Sequence, residues 1–278
     1  MYTVTKIEEL SPGVKAFVIK APLIAHKCQP GQFVILRIDE DGERIPLTIA
    51  DFNREAGTIS LIFQEVGRTS RQLGALCTGE TILDVAGPLG QATHIKQFGT
   101  VVCIGGGIGV APVYPIARAY KEAGNKVISI IGARNADLLI LEKEMAAVSD
   151  TLYITTDDGS KGCKGLVINP LQELIADGEK IALVMAIGPV IMMRGVADVT
   201  RPYGIPTIVS LNPIMVDGTG MCGGCRVSVA NQNKFACVDG PEFNAHEVDF
   251  DGLMTRQRIY REHEKMEHRF EGGCSCHR

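Results

Sequence analysis

The chain has 278 residues, 45% of them hydrophobic and 22% charged, with a net charge of −4. That length suits two domains and an appendage, and the slight acidity gives no electrostatic case for nucleic-acid binding. The longest apolar stretch, residues 181–193, is broken by Gly188 and Pro189 and is too short to span a bilayer.

The opening MYTVTKIEEL lacks the basic-then-apolar pattern of a secretion signal, so a cytoplasmic location is expected. Nine Cys, several alone in apolar runs, suit reduced thiols better than a disulfide framework. Cys28, Cys77, Cys103 and Cys163 are therefore expected to behave as small buried hydrophobes.

Residues 1–96 read as β. TVTKIEELSPGVKAFVIKA alternates and is cut at Ser11, Pro12 and Gly13; FVILRI, GTISLIFQEV and TILDVAGPLG follow with Gly or Pro between them. Short strands with such turns predict a small barrel, with a single helical turn over 69–76. Two stretches within it have binding chemistry. Arg44, Pro46, Leu47, Thr48 and Ile49 form an extended run in which Arg44 offers a permanent charge to a phosphate. Gly67, Arg68, Thr69, Ser70 and Arg71 make a diphosphate seat at the start of a short helix, or an ordinary N-capped helix with Thr69 or Ser70 as cap.

From Thr100 the pattern alternates strand and helix. VVCIGGGIGVAPVYPIARAYKEAG is strand, glycine turn, helix. KVISIIGAR (strand), LLILEKEMAAV (helix), TLYITTDDGS (strand), LVINPLQELIA (helix), KIALVMAIGP (strand), MMRGVADVTRPYG (helix) and TIVSLN (strand) complete residues 97–210. The series predicts a parallel sheet with helices on both faces and ligands at the ends of its strands. Glycines stand there: Gly105–Gly109, the stretch Thr155–Gly159 with Asp157 and Asp158, and Gly188 before Pro189.

Residues 211–278 carry the sharpest motif. Asp217, Cys222, Cys225 and Cys237 stand at D-x4-C-x2-C-x11-C. A plant-type [2Fe–2S] centre uses C-x4-C-x2-C and a distant fourth Cys. Gly218, Gly220, Gly223 and Gly224 let the backbone turn tightly and bring N–H groups to an anionic cluster. Val227, Val229, Phe235 and Val238 fit flanking strands. Zinc, a Cys222–Cys225 disulfide, or a glycine-rich turn with incidental thiols stand as other readings, and Asp239 is the substitute carboxylate should Asp217 not bind. Beyond Cys237, residues 248–250 read as a last strand and MTRQRIYREHEKMEHRF as a charged, solvated or partner-facing helix. His263 and His268 lack metalloprotease spacing, while Cys274 and Cys276 form either a metal site or a frayed end.

R-I-P-L-T-I, V-G-x-x-S, G-G-G-I-G-V-A-P, T-D-D-G-S, G-P-x-x-M-M and the cysteine loop, in that order, make the chain resemble the ferredoxin-reductase superfamily over nearly its whole length. Within it the chain resembles the electron-transfer subunits of dihydroorotate dehydrogenase. It is closer to the small subunit of NADH-dependent reduced ferredoxin:NADP oxidoreductase (sulfide dehydrogenase subunit beta). Asp217 in place of a Cys, and continuation past the last cluster Cys, favour the latter.

The resemblance implies an N-terminal FAD-binding β-barrel, a nucleotide-binding parallel α/β domain, and a C-terminal [2Fe–2S] loop with a terminal helix. FAD would rest on Arg44, Pro46, Leu47, Thr48 and Ile49, with Gly67, Thr69 and Ser70 at its diphosphate. NAD(H), with NADP(H) as the alternative, would lie over Gly106, Gly107, Gly109, Ala111 and Pro112, near Arg134, Thr156, Asp157, Asp158, Gly188 and Pro189. Asp217, Cys222, Cys225 and Cys237 would hold the cluster. Many relatives carry Cys before the Gly-Pro pair, where Ile187 stands here. The implied function is flavin-mediated, with no catalytic side chain: hydride exchange with NAD(H) and single electrons passed to a larger FAD and [4Fe–4S] subunit, resembling the glutamate synthase small subunit, that reacts with NADP(H) and ferredoxin by electron bifurcation. A dihydroorotate dehydrogenase subunit and a non-catalytic redox sensor are the alternatives.

Overall fold

The structure, a computed structural model, describes residues 1–259. The N-terminal unit is an antiparallel sheet of β1 (Tyr2–Ser11), β2 (Val14–Lys20), β3 (Phe33–Arg37), β4 (Ile45–Asn53), β5 (Thr58–Gln64), β6 (Thr81–Ile82) and β7 (Asp84–Leu89), ordered β6-β1-β2-β5-β4-β3-β7. The edge strands β6 and β7 are separated only by Leu83, so the chain draws the two edges together into a nearly closed barrel. Alternation sets its interior: Ile59, Leu61 and Phe63 of β5 point inward between half-buried neighbours. Two short helices, α1 (Pro22–Lys27) and α2 (Arg68–Gly74), add Ile24, Ala25 and Leu73 to that core. The sequence reading missed α1, whose signal is Pro22 in the first turn.

The second unit is the expected parallel sheet. Its strands are β8 (Thr100–Gly106), β9 (Lys126–Ala133), β10 (Thr151–Thr156), β11 (Cys163–Lys164), β12 (Ile181–Ile187) and β13 (Thr207–Ser210), ordered β11-β10-β9-β8-β12-β13 and all parallel. α3 (Val110–Glu122) and α4 (Glu142–Val148) cover one face; α5 (Ile168–Ala176) and α6 (Val190–Thr200) cover the other. β8 and β9 are buried on both faces, which is why they read as unbroken apolar runs. The helix expected over LLILEKEMAAV begins only at Glu142. Before it, Asn135 caps a turn of 3-10 helix (Ala136–Leu138), and Leu141 adopts φ 54°, which interrupts helical backbone.

The C-terminal segment contributes a hairpin of β14 (Arg226–Val229) and β15 (Gln232–Phe235), then β16 (Glu242–Asn244), then α7 (Phe250–Arg258). β16 adds antiparallel to β13 and so extends the nucleotide-type sheet. The strand expected at 248–250 is absent. Val248 makes one bridge to Val229, and the Asp249 side chain accepts from Gly252 N at 2.9 Å, which starts α7 at Phe250. Of the charged helix, only the part up to Arg258 is described; His263, His268, Cys274 and Cys276 lie outside the described residues. Cys28 and Cys103 are buried as expected, but Cys77 and Cys163 are exposed, one in the turn after α2 and one on the edge strand β11.

All three parts pack together. Phe33 and Ile35 of the barrel share one core with α5, α6, α7 and the cysteine loop, and Val14 and Ala50 share another with α3. Gln91 N donates to Gly240 O at 2.6 Å and Thr93 Oγ1 to Glu242 Oε1 at 2.5 Å, tying the barrel's exit to the C-terminal segment.

Candidate functional site

The parallel sheet reverses its order between β8 and β12, with β9 and β10 on one side and β13 on the other. Ligands of such sheets bind outside the strand ends at this point. The connections after both strands turn there through glycine. Gly107 has φ 56°, and a Cβ on Gly109 would lie 2.2 Å from Ile187 O, so the two turns touch backbone to backbone. A Cβ on Gly106 would lie 2.3 Å from Met192 Sδ. Ile187 also lines the cleft.

Across from these turns stands the barrel, and one cleft of about 1220 Å³ lies between them. Pro46, Leu47 and Thr48 of β4, and Gly67, Thr69 and Ser70 at the start of α2, form its barrel wall. Gly106, Gly107, Gly109, Ala111, Pro112, Arg134, Asp157, Gly188 and Pro189 form the opposite wall. The N-cap is Gly67, not Thr69 or Ser70 as expected; Ser70, in the first turn, reaches back, and its Oγ accepts from Val66 N at 3.0 Å and Gly67 N at 2.9 Å. Thr69 is buried and its Oγ1 donates to Glu43 Oε2 at 2.7 Å.

Four predicted residues do not line the cleft. Arg44 is exposed beside it, and Ile49 is 1% exposed with its side chain in the barrel core. Thr156 Oγ1 accepts from Lys161 N at 3.1 Å, and Asp158 Oδ1 accepts from Ser160 N and Oγ at 2.9 and 2.6 Å. Those two shape the loop that carries Asp157. Glu43 and the segment Ser210, Asn212, Pro213 and Met215 line the cleft without having been predicted. The only sequence signal for the segment was the Asn-Pro turn directly after the last parallel strand.

That segment leads directly into the cysteine loop. Gly218 (φ 72°) lies against β3 and β7: a Cβ there would sit 2.6 Å from Ile35 Cδ1 and 2.8 Å from Leu89 Cδ1. β3 also sends Phe33 into the cleft, so loop and cleft share a strand. Cys225 and Cys237 are buried with sulfurs 3.2 Å apart, too far for a disulfide. Cys222 is exposed at the surface and accepts from Gly224 N at 3.4 Å. Cys237 N points at Cys225 Sγ, 3.5 Å away. Burial, with the Cys225 thiol, pushes the Cys237 thiol up to about 12.

Asp217 is held below the usual carboxylate range by the N–H of Thr219 (3.0 Å) and then that of Cys222 (2.9 Å). Those bonds use two of about four lone-pair positions on the carboxylate and leave the others for a metal. Asp239 is taken up by Phe235 N at 2.7 Å. Among the described residues, no three His, Cys, Asp or Glu side chains converge as closely as one ion requires. Thiols with backbone N–H groups directed at sulfur, in a loop of left-handed glycines, are a donor set that suits an iron–sulfur cluster.

The model of the oxidoreductase NAD-binding domain matches residues 103–198, and that of the iron–sulfur cluster binding domain of dihydroorotate dehydrogenase B matches residues 212–249. The dihydroorotate dehydrogenase B (NAD(+)) electron transfer subunit homolog of Thermotoga maritima is 48% identical over 263 residues, covering 95% of this chain and 93% of its own. The chain belongs to this family of electron transfer subunits.

Within the family, the subunit of Bacillus velezensis is 31% identical, covering 88% of this chain and 97% of its own. A solved structure of the NADH-dependent reduced ferredoxin–NADP oxidoreductase, described in terms of flavin-based electron bifurcation, contains a chain 47% identical to this one. It superposes with a TM-score of 0.92 over 97% of this chain and 98% of that one. Phthalate dioxygenase reductase, at 16% identity and a TM-score of 0.61 over 82% of this chain and 85% of its own, shares the fold. The ferredoxin-reductase fold and the family resemblance seen in the sequence are thus borne out, as is an oxidoreductase with nucleotide-binding and iron–sulfur domains. Among the described residues no helix is long and apolar enough to cross a membrane.

Proposed function

We propose that the chain is the NAD(H)-reacting electron-transfer subunit of a larger oxidoreductase complex, with FAD and a [2Fe–2S] cluster as resident cofactors. One observation carries this reading: a single cleft is walled by the barrel strand β4 and by the switch-point glycines, and its floor runs through Asn212 and Met215 into the cysteine loop. At about 1220 Å³ the cleft exceeds the roughly 300–1,000 Å³ of a one-ligand pocket and suits two stacked ligands. FAD, when bound, supplies exchange between a two-electron hydride and single electrons.

The protein's own part is positioning. Pro46, Leu47 and Thr48 offer an extended edge to a flat ring, with Arg44 close by for phosphate and Gly67 and Thr69 at the start of α2. Gly106, Gly107 and Gly109 present bare backbone to a dinucleotide, Ala111 and Pro112 begin the helix beneath it, and Arg134 and Asp157 flank it. Gly188 and Pro189 set how closely the nicotinamide end approaches the barrel. Asp217, Cys222, Cys225 and Cys237 are the ligands assigned to the cluster. The corresponding units are residues 1–96, 97–210 and 211–278.

The partner we assign is a larger subunit carrying FAD and [4Fe–4S] clusters that reacts with NADP(H) and ferredoxin. The 47% match to a chain of the bifurcating oxidoreductase over nearly the full length supports this partner, and the 48% identity to the Thermotoga maritima homolog named for dihydroorotate dehydrogenase B supports a dihydroorotate dehydrogenase partner as the second reading. The test is turnover of the purified chain with an artificial one-electron acceptor, NADH against NADPH. The reading predicts acceptor reduction with NADH preferred. A chain that reduces no acceptor with either nucleotide would be a sensor module, and the proposal would fail.

A further inference from the structure

We infer that Arg256 and Gln257 of α7 are positioning residues: they hold the cysteine loop at its start and at its cysteine turn, and Arg256 raises the cluster's reduction potential. The inference rests on the iron–sulfur reading above. Arg256 Nη2 donates to Gly224 O at 3.1 Å. Gly224 lies between Cys222 and Cys225, and its own N–H donates to Cys222 Sγ at 3.4 Å. Holding the carbonyl from outside fixes the orientation of the peptide that enters Cys225. Gln257 Nε2 donates to Asn212 O at 3.0 Å and to Asn212 Oδ1 at 3.2 Å. Asn212 lines the cleft and begins the loop. Two successive residues of one helix therefore grip the loop where it leaves the cleft and where it makes its cysteine turn.

The helix is itself fixed. Phe250 and Leu253 are 6% and 3% exposed in the shared core, and Asp249 N donates to Ser228 O at 3.0 Å. Asp251 Oδ1 accepts from Arg194 Nη1 at 2.8 Å, and Arg194 belongs to α6, the helix that follows Gly188 and Pro189. A continuous path of packed helices thus joins the nucleotide turn to the cluster loop.

Charge is the second argument. Arg194 meets Asp251, but the bond from Arg256 goes to a neutral carbonyl, so its charge is not cancelled by that partner. A guanidinium keeps its charge at all working pH values. Reduction adds one negative charge to the cluster, so a cation at the loop favours the reduced form. Arg226 and Asp249, of opposite charge, line the same groove as Arg256.

The experiment uses the full chain, purified anaerobically with its cofactors, as wild type, Arg256→Met, Arg256→Lys and Gln257→Leu. Cluster potential is read by EPR-monitored redox titration, and cluster retention by the rate of bleaching under a chelator. At the wild-type midpoint, Arg256→Met should lower the ratio of reduced to oxidised cluster by about three- to tenfold, tenfold being about 59 mV for a one-electron couple. Arg256→Lys should keep the potential near wild type. Gln257→Leu should leave the potential nearly unchanged but bleach several-fold faster. Wild-type potential and retention in Arg256→Met would overturn the inference, as would equal displacement by Met and Lys. Melting curves identify a variant that misfolds, and Lys and Leu then carry the test. A wild-type chain without iron overturns the iron–sulfur reading instead, which is a separate result.

Discussion

Gly109→Ala tests whether the two glycine turns form one nucleotide site. Gly109 has φ −63°, so alanine meets no conformational objection there. The obstacle is steric: its Cβ would lie 2.2 Å from Ile187 O, 2.7 Å from Ile187 C and 2.8 Å from Gly188 Cα. All three are backbone atoms, so no side chain can swing aside, and the turns after β8 and β12 must separate. Overpacking costs roughly 1–3 kcal/mol, and a backbone obstacle belongs at the upper end. At about 2–4 °C per kcal/mol, the melting temperature should fall by roughly 6–12 °C. Gly107→Ala is the contrast: its Cβ would meet nothing within 4 Å, but φ is 56°, so its cost of roughly 1–2 kcal/mol is conformational and leaves the turns in contact. In steady-state reduction of a dye acceptor, Gly109→Ala should raise KM for NADH at least several-fold, and Gly107→Ala much less. A Gly109→Ala protein with wild-type melting and wild-type KM would refute the reasoning.

Asp217→Cys should retain a cluster with a shifted potential and altered visible and EPR spectra; an unchanged potential and spectrum would show that Asp217 is not a ligand. Glu242, with its carboxyl turned inward onto Thr93, is pushed up by burial from 4.5 to about 7. The folded state then binds more protons than the unfolded one between those values, so this group's contribution to stability falls as pH rises from 4.5 to about 7. Glu242→Gln keeps an acceptor for Thr93 and should stabilise the protein by up to about 3 kcal/mol above pH 7, with little effect near pH 4, as read by denaturant melts at the two pH values. In peptide mapping after brief alkylation of the native protein, Cys77 and Cys163 should be labelled. Cys28 and Cys103, whose thiols burial pushes up to about 11 and about 12, should not be.

What the sequence disclosed follows from where local pattern and tertiary placement agree. The alternation in β5 and the buried runs of β8 and β9 are properties of single strands, so those elements were legible. Gly107 was legible because its φ of 56° is a local requirement, whereas Gly106 and Gly109 stand where Met192 of α6 and Ile187 at the end of β12 approach. β16 was not, since three residues become a strand only by docking on β13, and Leu141 gave no sign of its left-handed backbone within a helix-forming stretch. Thr156 and Asp158 carried a recognisable motif, yet their side chains build the loop while Asp157 alone faces the cleft. Asn212 and Arg256 had no motif at all: their roles depend on a loop and a helix meeting across 45 and 32 residues of sequence. Cys77 and Cys163 show the converse error, in which an apolar residue type was taken as burial without a strand or helix face to place it.

The most direct test of the account is the iron, sulfide and flavin content of the anaerobically purified chain, with an EPR spectrum after reduction by NADH. The account predicts about two irons, two sulfides and one FAD per chain, with a reduced [2Fe–2S] signal appearing on NADH addition. Zinc in place of iron, or a flavin reduced by NADH with no cluster signal, would contradict it.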